Sequence, residues 1–276
     1  NWNVDANWTP SGVPTIANCI IIPDVTNDPI ISAAPDGVGY NLLVYPNAQL
    51  TINSNQNLTI TDKVTVQTNG IFTINNSASL IQINNILNSG NIIYKRESPN
   101  IRTLDYSYWS SPVDAFTVNN IVSPYTFGPI YKWNTTIPNS NAGWGGWQNA
   151  AGNIMIAGKG YIARAPGAAP FNNTTYNVLS GSFTGVPNNG INTISIGKGY
   201  NVIGNPYPSP ISADEFIKKN ARVRTLYYWT HTAPASGGVY PINNFASYTL
   251  LGGTASAAGG SIPNNKIQVG QGFYVS

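Results

Sequence analysis

The chain has 276 residues, of which only 8% are charged, and its formal net charge is +3. That length is enough for two domains with proper cores, and the scarcity of charge leaves solubility to uncharged polar groups, asparagine above all. The basic residues are scattered, which gives no support to a nucleic-acid partner, and no apolar run of about 18 residues exists to make a membrane-spanning helix.

With 27 glycines, 20 prolines, 16 tyrosines and 7 tryptophans, and almost no Ala/Leu/Glu/Lys runs at helical spacing, the composition predicts an all-β chain of short strands joined by turns. Charge divides it unevenly. Residues 1–94 hold Asp5, Asp24, Asp28, Asp36 and Asp62 against Lys63 alone, so the positive excess lies in the remainder and suits an anionic polysaccharide surface. Its one tight basic group, Lys218, Lys219, Arg222 and Arg224, reads as a solvated turn or short helix. Cys19 has no partner for a disulfide, and within Cys-Ile-Ile-Ile it is expected to be buried.

Residues 1–40 are expected to form a lead-in, with Trp2, Trp8 and the Cys19 to Ile22 strand capping an open coil end. The loop around Asp24, Asp28 and Asp36 offers oxygen ligands of the kind calcium takes, without EF-hand spacing; otherwise no cofactor is expected. Residues 41–98 carry a repeat. NAQLTI (Asn47 to Ile52) matches NGIFTI (Asn69 to Ile74), QNLTI (Gln56 to Ile60) lines up with ASLIQ (Ala78 to Gln82), and both offsets are 22 residues. Leu42, Val64 and Ile86 stand at the same spacing. In each repeat a strand such as Leu-Thr-Ile turns apolar residues inward and threonine outward, and an Asn or Gly corner tolerates positive φ, as β-solenoid coils require. An antiparallel meander shares the alternation but has no reason for a constant offset.

The pattern fades between Asn91 and Asn100. Beyond it two related β-sandwich-like units are expected in tandem, residues 99–190 and 191–276. Ser111-Pro112-Val113 overlays Ser209-Pro210-Ile211, Asp114 and Phe116 overlay Asp214 and Phe216, and Tyr131-Lys132-Trp133 overlays Tyr227-Tyr228-Trp229. A glycine corner recurs as Gly158-Lys159-Gly160-Tyr161, Gly197-Lys198-Gly199-Tyr200 and Gly270-Gln271-Gly272-Phe273. A phosphate loop needs Lys-Ser/Thr opening a helix, whereas strand-like sequence follows each corner here. The glycines are therefore structural, at a turn or bulge leading into a strand whose first aromatic packs inward, with Lys159, Lys198 and Gln271 facing solvent.

Chemistry is sparse. His231 is the only histidine, no Gly-x-Ser-x-Gly elbow occurs, and one His with one Cys cannot furnish an ordinary zinc site. Asp214 and Glu215 are neighbours, which on a strand face opposite ways; the other acids of this half, Asp105 and Asp114 among them, look like turn formers. No catalytic residue is expected, and the chain reads as a non-enzyme. Trp133, Trp144, Trp147 and Asn149 lie close in a Gly/Asn-rich stretch, where flat indoles and amides would suit sugar faces, although large aromatics more often bury themselves.

The lead-in Asn7-Trp8 with Gly12-Val13-Pro14, the Ala48-Gln49-Leu50-Thr51-Ile52 repeat, Tyr108-Trp109-Ser110-Ser111-Pro112-Val113, Gly204-Asn205-Pro206-Tyr207-Pro208-Ser209-Pro210 and Gly270-Gln271-Gly272-Phe273 together resemble the extracellular region of large Bacteroidota (Flavobacteriia-like) surface proteins secreted by the type IX system. The resemblance implies the type IX machinery as a partner, a place on the outer cell surface, adhesion or scaffolding, and no catalytic residues. It also implies a longer parent with a C-terminal sorting domain. A glycan-binding accessory module and a component of a surface filament are the competing expectations, with surface polysaccharide or another surface protein as the partner.

Overall fold

The structure is a computed structural model that describes residues 1–139, 143–236 and 239–276. Residues 20–82 wind through coils that place one short strand on each of three parallel sheets. Strands β1 (Ile20–Ile22), β4 (Leu42–Val44) and β7 (Val64–Val66) stack on one side, β2 (Ile30–Ile31), β5 (Gln49–Ile52) and β8 (Ile71–Ile74) on the second, and β3 (Gly37–Gly39), β6 (Asn57–Ile60) and β9 (Ser79–Gln82) on the third. The expected 22-residue offset is the ladder register: Leu50 pairs with Phe72, Ile52 with Ile74, Leu42 with Val64 and Leu58 with Leu80.

Alternation does the rest. Leu50, Ile52, Leu58, Ile60, Phe72 and Ile74 are completely buried, while Thr51 and Thr73 stand half-buried on the outside. Burying each large apolar side chain stabilises the coil by roughly 1.5–3 kcal/mol. The corners are the asparagine turns the sequence implies. Asn47 and Asn69 have φ of 62° and 64°, and Asn55 and Ser77 have 65° and 66°, each pair one coil apart. Asparagine is among the few non-glycine residues that visit this region at modest cost.

Three sequence expectations change here. The coil begins at Ile20, inside the stretch expected to be a lead-in, because β1 pairs with β4 residue for residue. Ile86 does not take the place after Val64: the coil lengthens, Ser89 meets Thr65, and Ile86 is 41% exposed. Cys19 is exposed, since the alternation that turns Ile20 inward turns its neighbour outward.

Both ends of the solenoid are blunted. At the start, Trp2 is buried over the first coil and donates its backbone N–H to Ile30, with Trp8 edge-on against it at 4.9 Å. At the far end β10 (Ile92–Glu97) adds to β8, and the chain later returns as β15 (Ser180–Gly185) to pair antiparallel with all of β10. Pro208 of the Pro-Tyr-Pro loop accepts a hydrogen bond from Leu80 on the third side. Open strand edges invite pairing with other chains, and these contacts remove the invitation.

The rest forms two antiparallel sheets of the same topology, so the fold is all-β: a solenoid followed by sandwich-like sheets. The first runs β11 (Tyr106–Trp109), β14 (Tyr161–Arg164), β12 (Ile130–Pro138), β13 (Trp144–Asn149). The second runs β16 (Asn201–Gly204), β22 (Gly272–Val275), β18 (Leu226–Trp229), β19 (Phe245–Thr249), β20 (Gly252–Thr254). A small pair, β17 (Ile211–Ser212) with β21 (Lys266–Ile267), and one helix, α1 (Ala213–Lys219), cover the second sheet. Asp214 and Glu215 thus lie in the first turn of a helix capped by Ser212, not on a strand. Ladder register confirms the overlay of Tyr131-Lys132-Trp133 on Tyr227-Tyr228-Trp229. It aligns Pro112 with Pro206 and not with Pro210, because Trp109 and Ile203 pair with the equivalent Tyr161 and Phe273.

Candidate functional site

Each strand of the two sheets has two faces, and the sequence gives each a different job. In the first sheet Trp109, Tyr161 and Ala163 join the core that is continuous with the solenoid. In the second, Phe273, Val275, Leu226 and Tyr228 pack toward α1. The remaining faces carry Tyr108, Trp133 and Trp147 on one side and Tyr227, Trp229, Phe245 and Tyr274 on the other. Tyr274 lies at its centre, with ring centroids 6.0 Å from Tyr108, 5.5 Å from Trp133, 6.1 Å from Trp147 and 5.3 Å from Phe245. Most of these pairs are edge-to-face, the arrangement ring quadrupoles prefer.

The aromatic layer does not close completely. A cavity of about 340 Å³ opens among Trp133, Tyr200, Tyr227, Asn243, Phe245 and Tyr274. Trp133 is fixed there by its indole N–H, which donates to the Tyr200 carbonyl at 2.7 Å, and by Trp147 edge-on at 4.9 Å. Of the aromatic stretch singled out in the sequence, Trp133 lines this cleft and Trp147 packs against the Trp133 and Tyr274 rings beside it. Trp144 is 45% exposed at the start of β13, with its carbonyl beside Gly199. Asn149, at the other end of β13, spends its Oδ1 on the backbone N–H of Ala151. Tyr200, Tyr227, Phe245 and Tyr274 were not apparent from the sequence as a site, since only sheet pairing brings them to Trp133.

The glycine corners hold the two sheets in register. Strands follow all of them, so no helix N-terminus is present to hold phosphate. Gly158 and Gly270 take φ of 78° and 62°, and each offers its carbonyl to the other sheet: Gly204 donates to Gly158 at 2.9 Å and Ser110 to Gly270 at 2.7 Å. The bridges are equally reciprocal, Lys159 to Ile203 and Gln271 to Trp109. A Cβ at Gly160 would fall 2.5 Å from the Ile203 carbonyl oxygen, and one at Gly272 3.0 Å from that of Trp109. The corners are thus two crossings related by a pseudo-twofold axis. The Gly197 to Tyr200 corner differs: its positive φ falls on Gly199, and Tyr200 is 50% exposed where Tyr161 and Phe273 are buried. Only Lys198 faces solvent fully; Lys159 and Gln271 are half-buried at the crossings.

A polar cluster lies near the junction. Asp105 accepts Nε and Nη2 of Arg102 at 2.9 and 3.2 Å, and the second Arg102 bond from Nη2 goes to the His231 carbonyl at 3.1 Å. His231 is buried with φ of 41°; Nε2 meets the Asn100 carbonyl at 3.0 Å and Nδ1 makes no hydrogen bond. Desolvation holds its pKa below the ordinary imidazole value, while Asp105 pulls the other way. Asp36 gives both carboxylate oxygens to Asn57, and Asp24 and Asp28 stand on a loop of their own; among the described residues no group of three or more His, Cys, Asp or Glu side chains is placed to hold a metal.

These features define a structural β-solenoid and β-sandwich module with an aromatic cleft. A family model described as a domain of unknown function, DUF8693, matches residues 1–276, and the chain belongs to that family. The match spans the solenoid and both sheets. No curated protein and no solved structure matches the chain.

Proposed function

We propose that the chain is a non-catalytic adhesion or scaffolding module, exported by type IX secretion and displayed outside the cell. The observation that supports this most is the junction: β15 closes the solenoid end while a single apolar core runs from Trp2 through the coils into the first sheet. Such a junction makes a stiff stalk of the solenoid and fixes the direction in which the sheets point. Titratable groups serve the frame, as in the Arg102–Asp105 pair, and low charge suits a surface wetted by asparagine and threonine.

Protease shaving of producing cells tests the proposal. The chain is expected to be cleaved from intact cells and to stay protected in cells lacking the type IX translocon. Protection in both would remove the surface assignment.

The aromatic cleft favours one further reading within this one, recognition of a glycan. Aromatic faces with Asn243 at the rim match the amphipathic faces of sugar rings. Glycan-array binding is expected to fall at least tenfold in Tyr227→Ala and Trp133→Ala. An unchanged array signal in both variants removes glycan recognition and leaves the scaffold reading standing.

A further inference from the structure

The rings that line the aromatic cleft cross one another and do not stack. Trp133, Tyr200 and Phe245 lie at 75°, 87° and 83° to the Tyr274 ring, with centroids 5.5, 6.1 and 5.3 Å from it, and Tyr227 lies at 76° to Tyr200 at 5.7 Å. Strand alternation arranges this. Leu226 and Tyr228 turn to the core of the second sheet, so Tyr227 between them turns to the cleft, as Tyr274 does between Phe273 and Val275. A pyranose lies flat against one aromatic plane. Rings that cross near right angles leave a corner beside that plane, and a compact apolar group fills such a corner by touching several faces at once.

The polar part of the cleft is equally selective. Among the described lining residues Asn243 is the only one that is not aromatic, and none carries a carboxylate, an ammonium or a guanidinium. Oδ1 of Asn243 accepts the backbone N–H of Phe245 at 2.9 Å, which fixes the orientation of the amide. Nδ2 is left as a donor that makes no hydrogen bond, on an exposed residue where a ligand can reach it. The Trp133 indole N–H is already given to the Tyr200 carbonyl, so this tryptophan offers ring surface alone.

We infer that the cleft takes an N-acetylated amino sugar, the acetamido methyl in the corner between the rings around Tyr274 and the acetamido carbonyl accepting from Nδ2 of Asn243. This deepens the glycan reading of the cleft and rests on it. A hydroxyl in place of the acetamido group would set a polar group against apolar walls and leave the corner unfilled. Ring faces also attract cations, but a bare ammonium would meet the Asn243 donor where it needs an acceptor. The volume of about 340 Å³ admits one sugar residue, at the small end of ligand cavities.

The test is titration of the ¹⁵N-labelled chain with the methyl β-glycosides of N-acetylglucosamine, glucose and glucosamine, read at the Trp133 indole N–H and the Asn243 side-chain amide resonances. The N-acetylated glycoside is expected to shift both signals and to bind at least tenfold more tightly than the other two. Asn243→Asp keeps an acceptor for Phe245 and exchanges the donor for an oxygen, and it is expected to weaken the N-acetylated glycoside at least tenfold. Equal binding of the glucoside overturns the inference and leaves glycan recognition standing. Equal or tighter binding of the glucosaminide makes the cleft a cation site and overturns it as well. So does unchanged affinity in Asn243→Asp; should that variant fail to fold, the selectivity among glycosides, measured on the parent chain, decides alone. If none of the three binds, the inference falls, and the array signal of Tyr227→Ala and Trp133→Ala decides the glycan reading separately.

Discussion

Gly160 and Gly272 occupy equivalent positions at the two crossings, but the room around them differs. A Cβ at Gly160 would press on the Ile203 carbonyl oxygen at 2.5 Å and on Val202, whereas one at Gly272 would meet the Trp109 backbone at 3.0 and 3.1 Å. Main chain held in a ladder cannot step aside. Gly160→Ala is therefore expected to cost roughly 2–3 kcal/mol and Gly272→Ala about 1 kcal/mol, read from denaturant midpoints. Equal losses would mean that the crossings relax alike. His231 ties stability to pH. Burial depresses the folded-state pKa, so as pH falls through the unfolded value of about 6.5 the unfolded chain takes up a proton that the folded chain declines. Stability is thus present above that pH and is lost below it. Melting temperature is expected to drop between pH 7.5 and 5, and to drop less in His231→Asn, a residue that tolerates the positive φ. Parallel pH profiles for the two proteins would rule out this histidine as the source.

At the level of elements, β15 has the largest consequence for its length. Phe183 is fully buried, 5.1 Å from the Phe116 ring and 6.2 Å from Trp109, and so ties the solenoid cap to the first sheet. Phe183→Ala is expected to cost roughly 3–5 kcal/mol in equilibrium unfolding, with the exposed Thr184→Ala within about 0.5 kcal/mol of the parent. Comparable small losses in both would show that β15 is merely laid against the coil. This strand also marks how far the sequence could be read. The coils were legible because each strand repeats its neighbour at a fixed spacing, so Leu50 and Phe72 declare their pairing locally. Ile86 misled for the same reason, since a longer corner before Ser89 breaks the spacing without breaking the apolar pattern. Ser180–Gly185 gave no such signal. Its partner strand lies far back in the chain, Ser180 pairing with Glu97 and Gly185 with Ile92, and nothing in Ser-Gly-Ser-Phe-Thr-Gly names β10. The same holds for the aromatic cleft: Trp133 and Trp147 were visible as neighbours in sequence, whereas Tyr274 and Phe245 enter through pairing across sheets.

Over the whole molecule, the buried side chains fall into two clusters that do not follow the order of the chain. One runs from Trp2 through every coil to Trp109, Tyr161 and Phe183, so the solenoid and the first sheet share a core. The other holds Ile203, Ile217, Leu226, Tyr248 and Phe273 between the second sheet and α1, and it is smaller. What joins them is the layer of edge-to-face rings and the reciprocal glycine crossings, contacts that are fewer and partly open to solvent. Regions with less buried apolar contact open first. Amides of α1, β18 and β19 are therefore expected to exchange with solvent deuterium before those of β5, β8 and β10, and amides of β11 and β14 to exchange with the solenoid. Phe183→Ala sharpens the test, because it should speed exchange in β8, β10 and β11 together while changing β18 and β19 little. Uniform exchange across both sheets, or β11 following β18, would mean that the rings and crossings couple the sheets more strongly than the shared core couples the first sheet to the coils.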